Sequence, residues 1–193
     1  MHTRLGLARS SLARAGLVLG CVGLALTLVA CKGAIFGSGK LFVWNSTDGT
    51  ATVTLEGRSG DEFVLAPHAG QLIESAVAGP YTMSAKLALG RTHEVAFELK
   101  GDRTYVVDVA GAACFARTDI SGMYQSGKDR VAWLGDYPAQ KALELADPIG
   151  VFPGEPVPAA RPKSAYVFQR LSEIPCPLLG NKHDIVEHVR LQK

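Results

Sequence analysis

Polar and apolar residues alternate through residues 51–56, where Ala51, Val53 and Leu55 interleave with Thr52, Thr54 and Glu56, and again through residues 92–99. A period of two is the signature of a half-buried strand. From Lys40 to Gly111 the chain is a series of apolar or alternating runs cut by turn residues. Residues 41–45 lead into Ser46-Thr47-Asp48-Gly49, residues 62–66 stop at Pro67, residues 71–77 stop at Gly79-Pro80, residues 81–89 break at Gly90, and residues 104–109 end at Gly111. About seven strands in about seventy residues, without helical periodicity, predict a mainly β fold: an antiparallel β-sandwich.

Past Gly111 the pattern loosens. Residues 112–118, 130–134 and 164–171 have strand character, while residues 139–146, opened by Pro138, suit a short helix. Pro148, Pro153, Pro156, Pro158 and Pro162 make residues 147–163 an extended loop, because proline fixes φ and donates no hydrogen bond to a ladder. Such a segment either crosses over a sheet or offers itself to a partner's groove. Residues 179–193 hold Ile185 and Val189 among charges and read as a tail or an edge strand.

The N-terminus is different. Arg4, Arg9 and Arg14 open it, residues 15–29 form an apolar run, and Leu28-Val29-Ala30-Cys31 closes it; no acidic residue precedes Asp48. This three-part pattern is that of a secretory leader. A spanning helix is the alternative, but the run is shorter than the ~20 apolar residues a span usually needs. Leu28 to Cys31 resembles the lipobox of bacterial lipoproteins, in which cleavage falls between Ala30 and Cys31 and the cysteine is acylated. Cys21, after Val18-Leu19-Gly20, would leave an apolar run of only about half the usual length. The resemblance implies a membrane partner through lipid on Cys31. Lys32 rather than aspartate after the cysteine implies, by the enterobacterial rule, the outer membrane of the cell envelope, facing the periplasm or the cell surface.

The chain then divides into a leader over residues 1–30, a lipidated tether over residues 31–39, a single β-sandwich domain over residues 40–178 and the terminal residues 179–193. Removing the leader takes away three arginines, so that 20 basic and 18 acidic side chains become 17 and 18. The positive charge belongs to the leader, which leaves no electrostatic case for nucleic acid. Of four cysteines, Cys114 and Cys176 remain for redox use. In an oxidising compartment they read as one disulfide, with two buried thiols or half of a metal site as the alternatives.

Ala78-Gly79-Pro80-Tyr81-Thr82, a following strand, the Gly101-Asp102 turn and Thr104-Tyr105-Val106-Val107 resemble extracytoplasmic sandwich modules of the PEGA and transthyretin-like kind. The resemblance implies an Ig-like or transthyretin-like sandwich, here with a Pro-rich C-terminal extension, used for binding or spacing, and transfers no catalytic residue.

Motif fragments elsewhere fail on their chemistry. Gly37-Ser38-Gly39-Lys40 lacks the first glycine and the final hydroxyl of a phosphate-binding loop. His93-Glu94 opens like a zinc-protease motif, but Phe97 stands where the second histidine is needed. His183 and His188, five residues apart, diverge on a strand and lie ~140° apart on a helix, so no metal site is expected. His68 lacks an accompanying nucleophile elbow, and the Asn45-Ser46-Thr47 sequon sits at a turn in a chain read as bacterial. No cofactor is implied. Trp133 and Tyr137, flanking Gly135-Asp136, are the candidate ligand ledge. The favoured reading is a non-catalytic binding or structural module whose partner is an unidentified envelope protein or polymer. The alternatives are an extracytoplasmic hydrolase with a dispersed site and an inhibitor of an envelope-attacking hydrolase.

Overall fold

The computed structural model describes residues 37–57, 61–125, 130–138, 142–163 and 167–192. The leader, Ala30, Cys31 and residues 32–36 lie outside them. Strands β1 (Ser38–Trp44), β2 (Ala51–Glu56), β3 (Asp61–Leu65), β4 (Gly70–Val77), β5 (Gly79–Lys86), β6 (Thr92–Leu99) and β7 (Thr104–Asp108) follow the seven expected runs closely. β8 (Cys114–Asp119), β9 (Ala132–Tyr137), β10 (Leu143–Leu145), β11 (Gln169–Ile174) and one helix, α1 (Lys182–Leu191), complete the elements named here.

The strands form three sheets, ordered β3-β2-β5-β6, β10-β7-β1-β4 and β11-β8-β9. Pairing is antiparallel throughout except between β1 and β7, which run parallel from Lys40↔Thr104 to Trp44↔Asp108. Strand alternation sends Leu41 and Val43 of β1 into a core shared with Val53, Leu55, Met83 and Val95 of the first sheet. Phe42 and Trp44 go to the other side, where Phe115, Leu171, Leu143 and Phe152 meet them. The middle sheet is therefore buried on both faces, which is why β1 and β7 carry near-continuous apolar runs while β2 and β6 alternate. A third core, holding Ala116, Val131, Phe168 and Ile174, lies on the opposite face of the third sheet and includes Ile185 and Val189 of α1.

Only Ala78 separates β4 from β5, though the two strands belong to different sheets. Gly79, at φ 145°, makes that corner in a conformation that side chains disfavour. The Tyr81 hydroxyl bonds across it to the Val77 carbonyl at 2.9 Å. Asn45 is fully buried and donates to the carbonyls of Gly49, Leu65 and Ala66, so the sequon nitrogen is pinned inside the fold.

Cys114 and Cys176 form a disulfide, with Cα atoms 5.2 Å apart, between the start of β8 and a 3₁₀ turn at Cys176–Leu178. β8 and β11 are already paired there, with Cys114 opposite Ile174.

Three expectations are corrected. The fold begins before Lys40: Ser38 and Gly39 of the expected tether belong to β1, and Ala78 donates to the Gly37 carbonyl. Leu143–Leu145 is a strand against β7 rather than part of a helix, because Leu143 and Leu145 alternate inward about the exposed Glu144; residues 139–141 lie outside the described set. Residues 182–191 are neither tail nor edge strand but a helix. Ile185 and Val189 sit four apart on its buried face, and Asn181 caps its start by accepting from the Asp184 amide at 3.4 Å.

Candidate functional site

Residues 147–163 hold no regular element except a parallel bridge from Val151 to Arg170 of β11. They are not an appendage: Ile149, Val151 and Phe152 are buried, and Phe152 stacks on Phe42 with centroids 4.5 Å apart. The bridge is held by Val151 N–H to the Gln169 carbonyl at 3.2 Å and Leu171 N–H to the Val151 carbonyl at 2.9 Å, with Gly150 N–H sharing the Gln169 carbonyl at 2.9 Å. It stops at Pro153, which has no N–H to extend it. Gly154 then turns the chain away at φ 81°, so close to Trp44 that an added Cβ would lie 3.0 Å from the indole. The Pro-rich stretch continues as a wall, tied to the 3₁₀ turn at Ser121–Tyr124 by the Tyr124 hydroxyl, which donates to the Pro158 carbonyl at 2.9 Å.

Between this wall and β11 lies a groove of about 800 Å³. Because β11 is the edge strand of its sheet, side chains from both of its faces border the opening. Arg170 and Ser172 come from one face and Glu173 from the other. Trp44 and His68 also line the groove, as does Gln192, the residue that follows α1.

The polar groups of the groove are unequally satisfied. Trp44 Nε1 donates to Glu173 Oε2 at 2.8 Å. Burial pushes the Glu173 carboxyl above its ordinary range; Asp108 adds to this, while the Trp44 bond and His68 oppose it. His68, at φ 50°, has Nε2 3.0 Å from Asp48 Oδ1. Arg170 is only 8% exposed, and burial lowers its pKa. Its Nη2 donates to the Gln192 carbonyl at 2.9 Å, but its Nε is buried without a hydrogen-bond partner. Ser172, 2% exposed, has an Oγ in the same condition. Among the described residues no carboxylate pairs with Arg170, and Ser172 has no general base bonded to it. The arrangement supplies hydrogen-bond donors and an apolar wall.

The two aromatics expected to form a ledge do not share a face. Arg117 pairs with Gly135 and Thr118 with Trp133, leaving Leu134 as an extra residue that reverses the alternation. Trp133 packs toward the third core, with Lys182 Nζ 5.9 Å from its ring centroid, and Tyr137 packs toward the second. A lesser cavity of about 580 Å³ includes Trp133, His183 and Arg190. His183 and His188 stand on α1, where His188 Nε2 meets Gln192 Nε2 at 2.9 Å. His93 and Glu94 fall on opposite faces of β6, half-buried and exposed respectively. Among the described residues no three His, Cys, Asp or Glu side chains gather around a common point. Sequence reasoning missed Arg170, Ser172 and Glu173; four of the six residues of β11, Gln169, Arg170, Ser172 and Glu173, are polar, and nothing in that run marks three of them as bordering one groove.

No family model matches the chain, and neither does any curated protein or solved structure.

Proposed function

We propose that this chain is a bacterial lipoprotein, anchored in the cell envelope through lipid on Cys31, whose β domain is a non-catalytic binding or structural module. The Cys114–Cys176 disulfide carries the reading. Such bonds persist in oxidising compartments, where a leader ending in Leu28-Val29-Ala30-Cys31 would deliver the chain. Two or more acyl chains hold a protein on a membrane where one does not. Lys32 favours the outer membrane as the destination.

We read the first two sheets as a sandwich of the Ig-like or transthyretin-like kind. Seven consecutive strands around one apolar core support this, and the parallel β1–β7 pair is a departure to be explained by the way the middle sheet serves a second core. The groove beside β11 is the binding surface of this reading, and the partner is an envelope protein or polymer.

Fractionation of cells expressing the native chain and Cys31→Ala tests the anchor. The native protein should sediment with membranes and partition into detergent, whereas the variant should remain unprocessed or become soluble. A variant that is still cleaved and still membrane-bound would remove the lipoprotein reading. Co-purification from envelope solubilised in non-ionic detergent tests the module: a stable stoichiometric partner is expected. A solitary protein that turns over ester, peptide or glycan substrates would replace it with the hydrolase.

A further inference from the structure

A sheet ends in strands whose outward backbone groups need a cover, a partner or a reason not to pair. β10 has three residues and β3 five. β9 carries the extra residue Leu134, and β4 faces a register shift between Gly39 and Leu41. β11 is bridged by Val151, and its Glu173 carbonyl accepts from Gln192 Nε2 at 3.3 Å. β6 has none of these protections. It runs for eight residues, pairs with β5 in unbroken register from Gly79↔Leu99 to Lys86↔Thr92, and contains neither proline nor lysine.

The turn before β6 fixes which of its groups are free. The Arg91 carbonyl accepts from Leu87 N–H at 2.8 Å, so the backbone of Arg91 faces β5. Backbone groups alternate sides along a strand. His93, Val95, Phe97 and Leu99 therefore also face β5, and Thr92, Glu94, Ala96 and Glu98 turn N–H and C=O to the open edge. These four residues are all exposed, including Ala96, which has only a methyl beyond its backbone. Among the described residues β5 is the one strand paired with β6, and no turn or loop bonds to the outward groups. Donors and acceptors alternating at strand spacing are complemented by another extended backbone.

The side chains select the partner. Glu94 and Glu98 stand on the solvent face of the sheet, and among the described residues neither is in an ion pair. Pairing two copies of β6 would gather the glutamates of both chains on one face, and like charges across a strand pair oppose it. A strand with cations four residues apart would instead set opposite charge against both carboxylates. On the inner face Phe97 is half-buried, stacked on Tyr81 and Tyr105 with centroids 5.7 and 6.0 Å away, and an apolar residue beside it would complete its cover. We propose that the open edge of β6 binds an extended segment of a partner protein in which apolar residues alternate with Lys or Arg. β6 and β11 belong to different sheets, so this surface goes beyond the groove reading and stands or falls independently of it and of lipid on Cys31.

The test is fluorescence anisotropy of the full chain, in non-ionic detergent, with a labelled peptide Val-Lys-Val-Thr-Val-Lys-Val amide. Binding should be saturable and at least about fivefold weaker when glutamate replaces both lysines, since two exposed attractions become repulsions. Methylating the backbone nitrogens of one alternate set, either the lysines and threonine or the valines, should weaken binding at least about tenfold, because one set alone faces β6. Methylating the other set should leave it within about twofold. Ala96→Pro removes an outward N–H that β5 does not use; it should weaken binding at least about tenfold with Tm little changed. Glu94→Lys/Glu98→Lys, at two exposed positions, should reverse the preference between the peptides and keeps the test sharp even if proline disturbs the sheet. Equal affinity for the lysine and glutamate peptides, no binding of the lysine peptide at millimolar concentration, or the same response to both methylated sets would overturn the proposal. A dimer of the chain in sedimentation that Ala96→Pro abolishes would also overturn it, by giving the edge to a second copy.

Discussion

Breaking the Cys114–Cys176 bond should cost the domain about 4 kcal/mol. The bond closes a segment with a sequence separation of 62, and in the chain-entropy model a loop of that length removes about this much freedom from the unfolded chain. The folded chain has little to lose besides, because β8 and β11 remain paired from Gln169↔Asp119 to Ile174↔Cys114 with or without the bond. At roughly 2–4 °C per kcal/mol for a domain of this size, Tm should fall by roughly 8–16 °C. Two perturbations give the measurement: reductant, which reaches the exposed Cys176, and the double variant Cys114→Ala/Cys176→Ala. The variant should lose about 1 kcal/mol more, since Cys114 is 2% exposed and truncating it opens a small cavity. Denaturant unfolding supplies the discriminating observation, because an uncrosslinked chain exposes more surface when unfolded and the m-value should rise. A Tm change below about 3 °C in both perturbations, or a large change with an unaltered m-value, would refute the entropic account.

Ile185→Ala should destabilise by about 2–4 kcal/mol in chemical denaturation, because the side chain is fully buried against the third sheet; an unchanged midpoint would mean that α1 does not dock. Glu173→Gln should change how stability depends on pH. The native Glu173 carboxyl is raised by burial, so it binds its proton more tightly folded than unfolded. Its contribution is therefore fully present below the unfolded value of about 4.3 and is lost as pH rises through the higher folded value. A glutamine keeps an oxygen for Trp44 Nε1 and has no charge to desolvate. The variant should match the native chain at pH 4 and equal or exceed it at pH 7 in paired denaturation curves. A variant less stable at pH 7 than at pH 4, relative to the native protein, would reverse the assignment.

The first seven strands were legible because each reports its own surroundings. β2 and β6 alternate because one face of their sheet is wet, and their limits, Ala51–Glu56 and Thr92–Leu99, are readable to the residue. β1 and β7 are equally visible as runs, but that their sheet is buried on both faces follows only from contact with a third sheet formed after Gly111. β10 was misread because Ala142, Leu143, Glu144 and Leu145 are all comfortable in a helix, and pairing with Val106 and Tyr105 decides otherwise. α1 has two buried apolar residues among ten, too few for periodicity to stand out from its charges. Trp133 and Tyr137 flank Gly135-Asp136 in the sequence, but one inserted residue, Leu134, sends them to different faces. The groove was the least legible, since Arg170, Ser172 and Glu173 are ordinary strand residues until the bridge ends at Pro153 and leaves space beside them.

The most direct test of the anchored-module account is mass spectrometry of the N-terminus of protein extracted from membranes. The account predicts a chain that begins at Cys31, residues 1–30 absent, with acyl chains adding their mass to that cysteine. A protein that retains Met1, or one whose Cys31 is internal and unmodified, would contradict it.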